Sequence, residues 1–406
     1  MRRFIGLSLG VITLFTSSFA LAEAPKKTQY RGFTICSMDR ETLEDAAKNW
    51  HTNQVRFMMC PGWAKQPGET QQQCWKRLLA TVGPGLDIAK ELGLAVVLDL
   101  HQIPNDNPAP VPPNPDPEKN PHWDSIQWWN DESHLRVMIE CWRELAEICK
   151  DRDQVIWFDL LNEPLEWSVV HSQPSYPPKW PQWAQKVIHE IRKIDTKHPI
   201  VVEPGPGMLC WGFRGFPPLK DPYRDIIYSF HPYQAFEYTH QGVYANRKII
   251  PYPGVTGDSG GGMWDAKRME AEMAPVIEFQ KKYGVRIWVG EFSVARWAPD
   301  GEKWLRDSIE IFEKHGWDWS YHALREAYVW RLTESDEGNF VRKDKDGKDV
   351  VFHALASPDM NEKGITYLQY DTPSPIGDAP TPKGLTKRGK VMLEYMKRNL
   401  KELKTK

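Results

Sequence analysis

The 406-residue sequence has almost no excess charge of either sign: 52 Lys and Arg stand against 54 Asp and Glu, a formal net charge of −2 at pH 7. A chain so balanced has no field with which to hold a polyanion or an anionic lipid surface, which excludes nucleic-acid and membrane binding as its business. Cysteine is sparse. The six, at positions 36, 60, 74, 141, 149 and 210, have no metal-ligand spacing. Cys141 and Cys149 fall on one predicted helix, about 12 Å apart, too far to pair with each other, and other pairings stay open. No Gly-rich phosphate turn follows the first predicted strand, no Ser/Thr/Pro-rich linker leads to an appended module, and no internal repeat is present.

The one strongly apolar run is N-terminal. Met1-Arg2-Arg3 precedes an apolar stretch from Phe4 to Phe15 and small residues ending Ala20-Leu21-Ala22. A spanning helix needs roughly 20 apolar residues; this run is shorter and ends in an A-x-A site, so residues 1–22 read as a secretory signal peptide and residues 23–406 as one exported domain. The paired arginines lack the rest of a twin-arginine signal, so ordinary secretion, to the periplasm or the exterior, is expected.

What the chain has in abundance is tryptophan, 19 in all. Trp123, Trp128, Trp129, Trp167, Trp180 and Trp183 cluster in stretches that read as loops, where flat apolar rings with a polar edge suit sugar faces. For any single Trp of this set, filling a gap between helix and barrel is the competing role.

Eight short apolar, β-rich runs recur: Gly32 to Cys36, Gln54 to Met59, Leu94 to Leu100, Val155 to Leu161, Pro199 to Glu203, Asp225 to Phe230, Val285 to Glu291 and Trp317 to Tyr321. Helical patterns fill the gaps at Glu41 to Trp50, Gln71 to Leu92, Ser133 to Arg152, Trp180 to Thr196, Trp264 to Tyr283, Glu302 to His315 and Lys387 to Lys401, but the gap around Leu219 to Arg224 is too short for a helix. Eight βα units predict a closed (β/α)8 barrel with long βα loops rather than an open doubly wound sheet. The connection from Ile103 to Trp129 is one such loop. The polar stretch from Glu334 to Ala379 reads as a loop elaboration carrying a solvated charge run, not as a second domain.

The chemistry lies at strand ends. The fourth strand runs out through Asn162-Glu163-Pro164 and the seventh through Val289-Gly290-Glu291, which sets two carboxyls at the C-terminal mouth, from opposite sides of the ring. A Glu closing an apolar strand is costly unless it is paired or functional. Two carboxyls, one protonated and one ionised, are what hydrolysis of a glycosidic bond needs. After the sixth strand, His231 and Tyr233 place an imidazole and a phenol between them; Arg56 in the second strand demands a carboxylate partner, expected to be Glu291, and His101 follows the third. Glu326 is a candidate third carboxylate of the cleft, but with Arg325 beside it a surface or loop ion pair is the expectation.

Arg56, His101, Asn162-Glu163-Pro164, His231-Pro232-Tyr233 and Glu291, in that order on those strands, resemble glycoside hydrolase family 5, the cellulase-type retaining β-glycosidases, over essentially the whole mature chain. The resemblance implies Glu163 as acid/base, Glu291 as nucleophile and Asn162 as ligand of the sugar 2-hydroxyl. Arg56 and Tyr233 would tune Glu291, and His101 and His231 would line the subsite where cleavage occurs. It also implies that no metal or organic cofactor is required and that the partner is a β-linked glycan, β-1,4-glucan first and mannan next; a monomer is the default expectation. Transfer of the sugar to another glycan shares the same intermediate, and a noncatalytic glycan-binding protein is the rival from another class. One departure stands out. Where the family carries a platform Trp at the end of the eighth strand this sequence has His322, with Trp319 and Trp330 as nearby candidates.

Overall fold

Short apolar strands separated by amphipathic helices can bury both strand faces only if the strands lie in parallel with the helices outside. The computed structural model describes residues 28–105, 126–207, 209–243, 248–258, 260–326, 329–333, 339–343, 347–355, 366–367 and 385–403. Its eight core strands are β1 (Arg31–Ile35), β2 (Gln54–Met58), β3 (Ala95–Asp99), β4 (Val155–Asp159), β5 (Ile200–Val202), β6 (Ile227–Phe230), β7 (Arg286–Val289) and β8 (Asp318–Tyr321). They pair in parallel in chain order, and β8 closes on β1, giving the barrel the sequence predicts. Residues 1–22, expected to be a signal peptide, lie outside the described residues, as do Trp123 and most of the connection from Ile103 to Trp129. No described helix is long and apolar enough to cross a membrane.

The helices follow their local signals. Gln71–Leu92 starts at a reciprocal capping box between Thr70 and Gln73 and stops at Gly93, whose φ of 69° is the left-handed conformation that ends helices. The helix expected from Trp264 to Tyr283 is two, Ala266–Glu272 and Ala274–Tyr283, because Pro275 cannot continue the first and is well placed to start the second. After β5 there is only a 3-10 turn, Cys210–Phe213, in keeping with the short gap. The stretch from Glu334 to Ala379 is not simply loop: Asn339–Lys343 and Asp349–His353 pair antiparallel, with Thr366–Tyr367 added in parallel, while the rest lies outside the described residues.

The tryptophan cluster is corrected by the structure. Trp128 and Trp129 sit on the helix Ile126–Asn130, and Trp180 and Trp183 on the helix Trp180–Ile191; all four are buried. Their rings pack on one another, Trp129 lying 5.2 Å from Trp183 and 6.1 Å from Trp180 between centroids. They pack in the helical layer as part of the core. Trp167, in contrast, is 55% exposed, as is Trp63 at 58%. All six cysteines are free thiols, five of them buried.

Inside the barrel, Val97, Trp157, Val201, Ile227 and Trp288 form a separate apolar layer. The Arg56 guanidinium lies 5.6 Å from the Trp288 ring centroid, so this layer floors the polar chamber at the mouth.

Candidate active site

Inward-facing barrel residues alternate along each strand, so Arg56 on β2, Asp99 on β3 and Asp159 on β4 all point into one closed space. Asp99 and Asp159 are register partners across β3 and β4. The Arg56 side chain is wholly buried and meets four carboxyls. It donates to Asp159 from Nε (3.0 Å) and Nη2 (2.9 Å), from Nη1 to Glu291 Oε1, and lies 3.1 Å from Asp99 and 3.4 Å from Glu203. The expected Arg56–Glu291 pair is present, but three further acids share the same cation.

Four carboxyls cannot all ionise around one guanidinium. Burial pushes Asp99 and Asp159 well above the usual carboxylate range against the opposing pull of Arg56. Glu291 behaves oppositely. Burial alone would raise it, yet the positive field of His322, His231 and Arg56 holds it well below the ordinary value.

Each remaining side chain named from the sequence reaches the same chamber. Tyr233 donates its hydroxyl to Glu291 Oε2 at 3.0 Å. His231 Nδ1 lies 2.8 Å from Glu163 Oε1, and burial, which would neutralise the ring, is outweighed by Glu203, Glu291 and Glu163, so the imidazole stays charged well above its normal range. His101 Nδ1 lies 2.8 Å from Asp99; burial pushes this ring down to about 3, leaving it neutral. Asn162 accepts from Arg56 Nη2 at 2.9 Å, which orients its amide and leaves N–H donors for a ligand.

The two glutamates arrive by different routes. Glu291 follows β7 after Gly290, whose N–H still bonds to Phe230 on β6. A Cβ at Gly290 would lie 2.7 Å from His231 Nε2, so only glycine lets this backbone pass the imidazole. Glu163 lies beyond the end of β4 with φ of 46°, in the left-handed region. One ligand-capable atom each from Glu163, His231 and Glu291 falls within 4.8 Å of the other two, which brings the two carboxyls close enough to act on opposite faces of one small group. Two carboxylates and an imidazole are also a donor set that a divalent cation can use.

His322 occupies the end of β8. Its Nδ1 is 3.4 Å from Glu291 Oε2 and its Nε2 is 3.5 Å from Glu326 Oε2. Burial lowers the His322 pKa, but the two carboxylates more than compensate and raise it. The expected Arg325–Glu326 ion pair is not formed: Arg325 turns away to Glu41 and Asp45, and Glu326 faces the chamber. Trp319 is fully buried in the barrel wall and cannot be a platform; Trp330, near His240, is almost as buried. Asp99, Asp159 and Glu203 escape sequence reading as members of the site, and Glu326, set aside there for an ion pair with Arg325, joins them. The signal was available for the first three, since each is an acid in or closing an apolar strand, the feature that singled out Glu291.

Comparison with known proteins agrees with this architecture. The family model for cellulase (glycosyl hydrolase family 5) matches residues 21–327. Endoglucanase C of Acetivibrio thermocellus is 23% identical over 266 residues, covering 59% of this chain and 71% of that protein. A β-xylosidase of Phanerodontia chrysosporium is 23% identical over 247 residues, covering 58% of this chain but only 46% of its own, so the chain spans less than half of that relative. Among solved structures, a glycoside hydrolase superposes with a TM-score of 0.59 at 18% identity, over 80% of this chain and 96% of that one. With the family model covering most of its length, the chain belongs to the cellulase family, glycosyl hydrolase family 5.

Proposed function

We propose that the protein hydrolyses a β-linked glycan with retention of anomeric configuration, Glu163 serving as acid/base and Glu291 as nucleophile. The observation that carries this reading is the carboxyl separation. Oxygen atoms of the two glutamates within 4.8 Å fit the spacing of about 5 to 5.5 Å used for double displacement, and not the roughly 6.5 to 9.5 Å that leaves room for a water in inverting enzymes.

The electrostatics divide the roles. Glu291, held ionised by Arg56, Tyr233 and the surrounding imidazoles, attacks the anomeric carbon from one face while Glu163 delivers a proton to the departing glycosidic oxygen. The covalent glycosyl-enzyme is then opened by water, which Glu163, now ionised and bonded to His231, deprotonates. Asn162 offers its N–H donors to the 2-hydroxyl. Tyr233, whose own ionisation burial and the neighbouring carboxylates push far up, stays a donor throughout and can follow the charge on Glu291 as it is consumed and regenerated.

A β-1,4-glucan is the first substrate, by likeness to the endoglucanase relative, with mannan second. Residues 1–22 support export in the same reading. The test is product release from β-glucans, mannan, xyloglucan and aryl β-glycosides by wild type, Glu163→Gln and Glu291→Gln. Cleavage of one polymer that both variants lose supports the reading; glycan binding without turnover by wild type overturns it.

A further inference from the structure

Glu203 closes β5 and is 1% exposed, yet no part of the bond-breaking steps above calls on it. Its contacts converge on the acid/base side. Oε2 accepts the backbone N–H of Glu163 at 2.8 Å, and Oε1 lies 3.2 Å from His231 Nε2, whose other ring nitrogen touches Glu163 Oε1. The same Oε1 is 3.4 Å from Arg56 Nη2.

We propose that Glu203 is the positioning residue of the acid/base, fixing both the backbone of Glu163 and the imidazole to which the Glu163 carboxyl is bonded. The inference rests on the assignment of Glu163 as acid/base made above. Glu163 holds a left-handed backbone that a residue with a Cβ avoids, and such a conformation persists only where its surroundings impose it. Glu203 is one of those constraints. The loop after β5 supplies the others: Gly207 donates to Pro164 O at 3.0 Å, and at Gly205, φ 78°, a Cβ would come within 2.2 Å of that same oxygen. Trp180 in turn donates to the Glu203 carbonyl at 2.7 Å, anchoring the mould to the helical layer.

The choice of a carboxylate is informative. An amide or hydroxyl would satisfy the Glu163 N–H without the penalty of a buried charge. The charge is needed for His231, which Glu203 first among its neighbours keeps protonated. Protonated on both ring nitrogens, His231 lies between the two glutamates, 2.8 Å from Glu163 Oε1 and 3.2 Å from Glu203 Oε1. It steadies the Glu163 carboxyl as it loses its proton to the leaving group and regains one from water.

Glu203→Gln separates this role from a merely structural one, because it retains an acceptor oxygen and the volume but loses the charge. The assay is kcat/KM, which reports the first displacement, across aryl β-glycosides whose leaving groups run from unactivated phenols to dinitrophenol. For Glu203→Gln the unactivated substrates should slow by roughly 10- to 100-fold while the dinitrophenyl glycoside, which needs no proton, stays within about 3-fold. Glu203→Ala should steepen that dependence further. Long-range 15N–1H spectra should show His231 as imidazolium in the wild type at pH 7.5 and as neutral imidazole in Glu203→Gln. A loss uniform across leaving groups, or an imidazolium unchanged by Glu203→Gln, overturns the proposal. Glu163→Gln is the comparator: if it too shows no leaving-group dependence, the acid/base assignment fails and the proposal with it; if it does and Glu203→Gln does not, only the proposal fails.

Discussion

Replacing Arg56 by Met removes the guanidinium that meets four buried carboxyls, and the consequence should depend on pH in a definite direction. Breaking a buried ion pair by deleting one partner costs about 3 to 5 kcal/mol, a large share of the roughly 5 to 15 kcal/mol that holds a domain folded. Unfolding entropy scales with length, to about 0.8 kcal/mol/K for a chain of this size, so Tm should fall by about 4 to 6 °C at neutral pH. Arg56 opposes the upward shift that burial imposes on Asp99 and Asp159, so its loss lifts both further. A carboxyl whose folded pKa exceeds its unfolded value takes up a proton on folding. Its contribution is fully present below the unfolded pKa and is lost as pH rises toward the folded one, each unit of added shift being worth about 1.36 kcal/mol. The Tm deficit of Arg56→Met against wild type should therefore be larger at pH 8 than at pH 5, read by scanning calorimetry, and a second change, Asp159→Asn, should recover part of it at pH 8. A deficit equal at both pH values, or smaller at pH 8, refutes the reasoning.

Other changes separate the chamber from its frame. His322→Gln removes the foremost positive neighbour of Glu291, so the Glu291 carboxyl rises and the acid limb of kcat/KM should move to higher pH; an unmoved limb contradicts the charge assignment. Trp183→Ala opens a cavity in the helical layer and should cost about 3 to 5 kcal/mol in urea unfolding, with KM on the folded enzyme unchanged. Trp63 is exposed at the mouth with its ring 5.3 Å from His101, and Trp63→Ala should raise KM on an oligosaccharide by roughly 3- to 10-fold while leaving Tm in place.

The barrel was legible because burial on both strand faces leaves an unmistakable apolar run, and the site because glutamates close two of those runs at the C-terminal mouth. Glu163 and Glu291 stood out for that reason. The tryptophans misled because an aromatic in a polar stretch looks like a loop residue, although the spacing of Trp180 and Trp183 puts both on one helical face turned inward. Asp99, Asp159 and Glu203 are not evident from the sequence because one buried cation asks for only one partner, whereas Arg56 has donors enough for several. Arg325 and Glu326 were paired because they are adjacent, but Arg325 has φ of 59° and reaches the first helix, leaving Glu326 to His322. Local sequence cannot give that turn of the backbone.

The claim on which the rest depends is that Glu163 and Glu291 stand at the spacing of a double displacement. Proton NMR of the sugar first released from an oligosaccharide or aryl β-glycoside, recorded before mutarotation, tests it directly. The β anomer appearing first is the predicted result; the α anomer appearing first would mean single displacement by water and would contradict the roles given to both carboxyls.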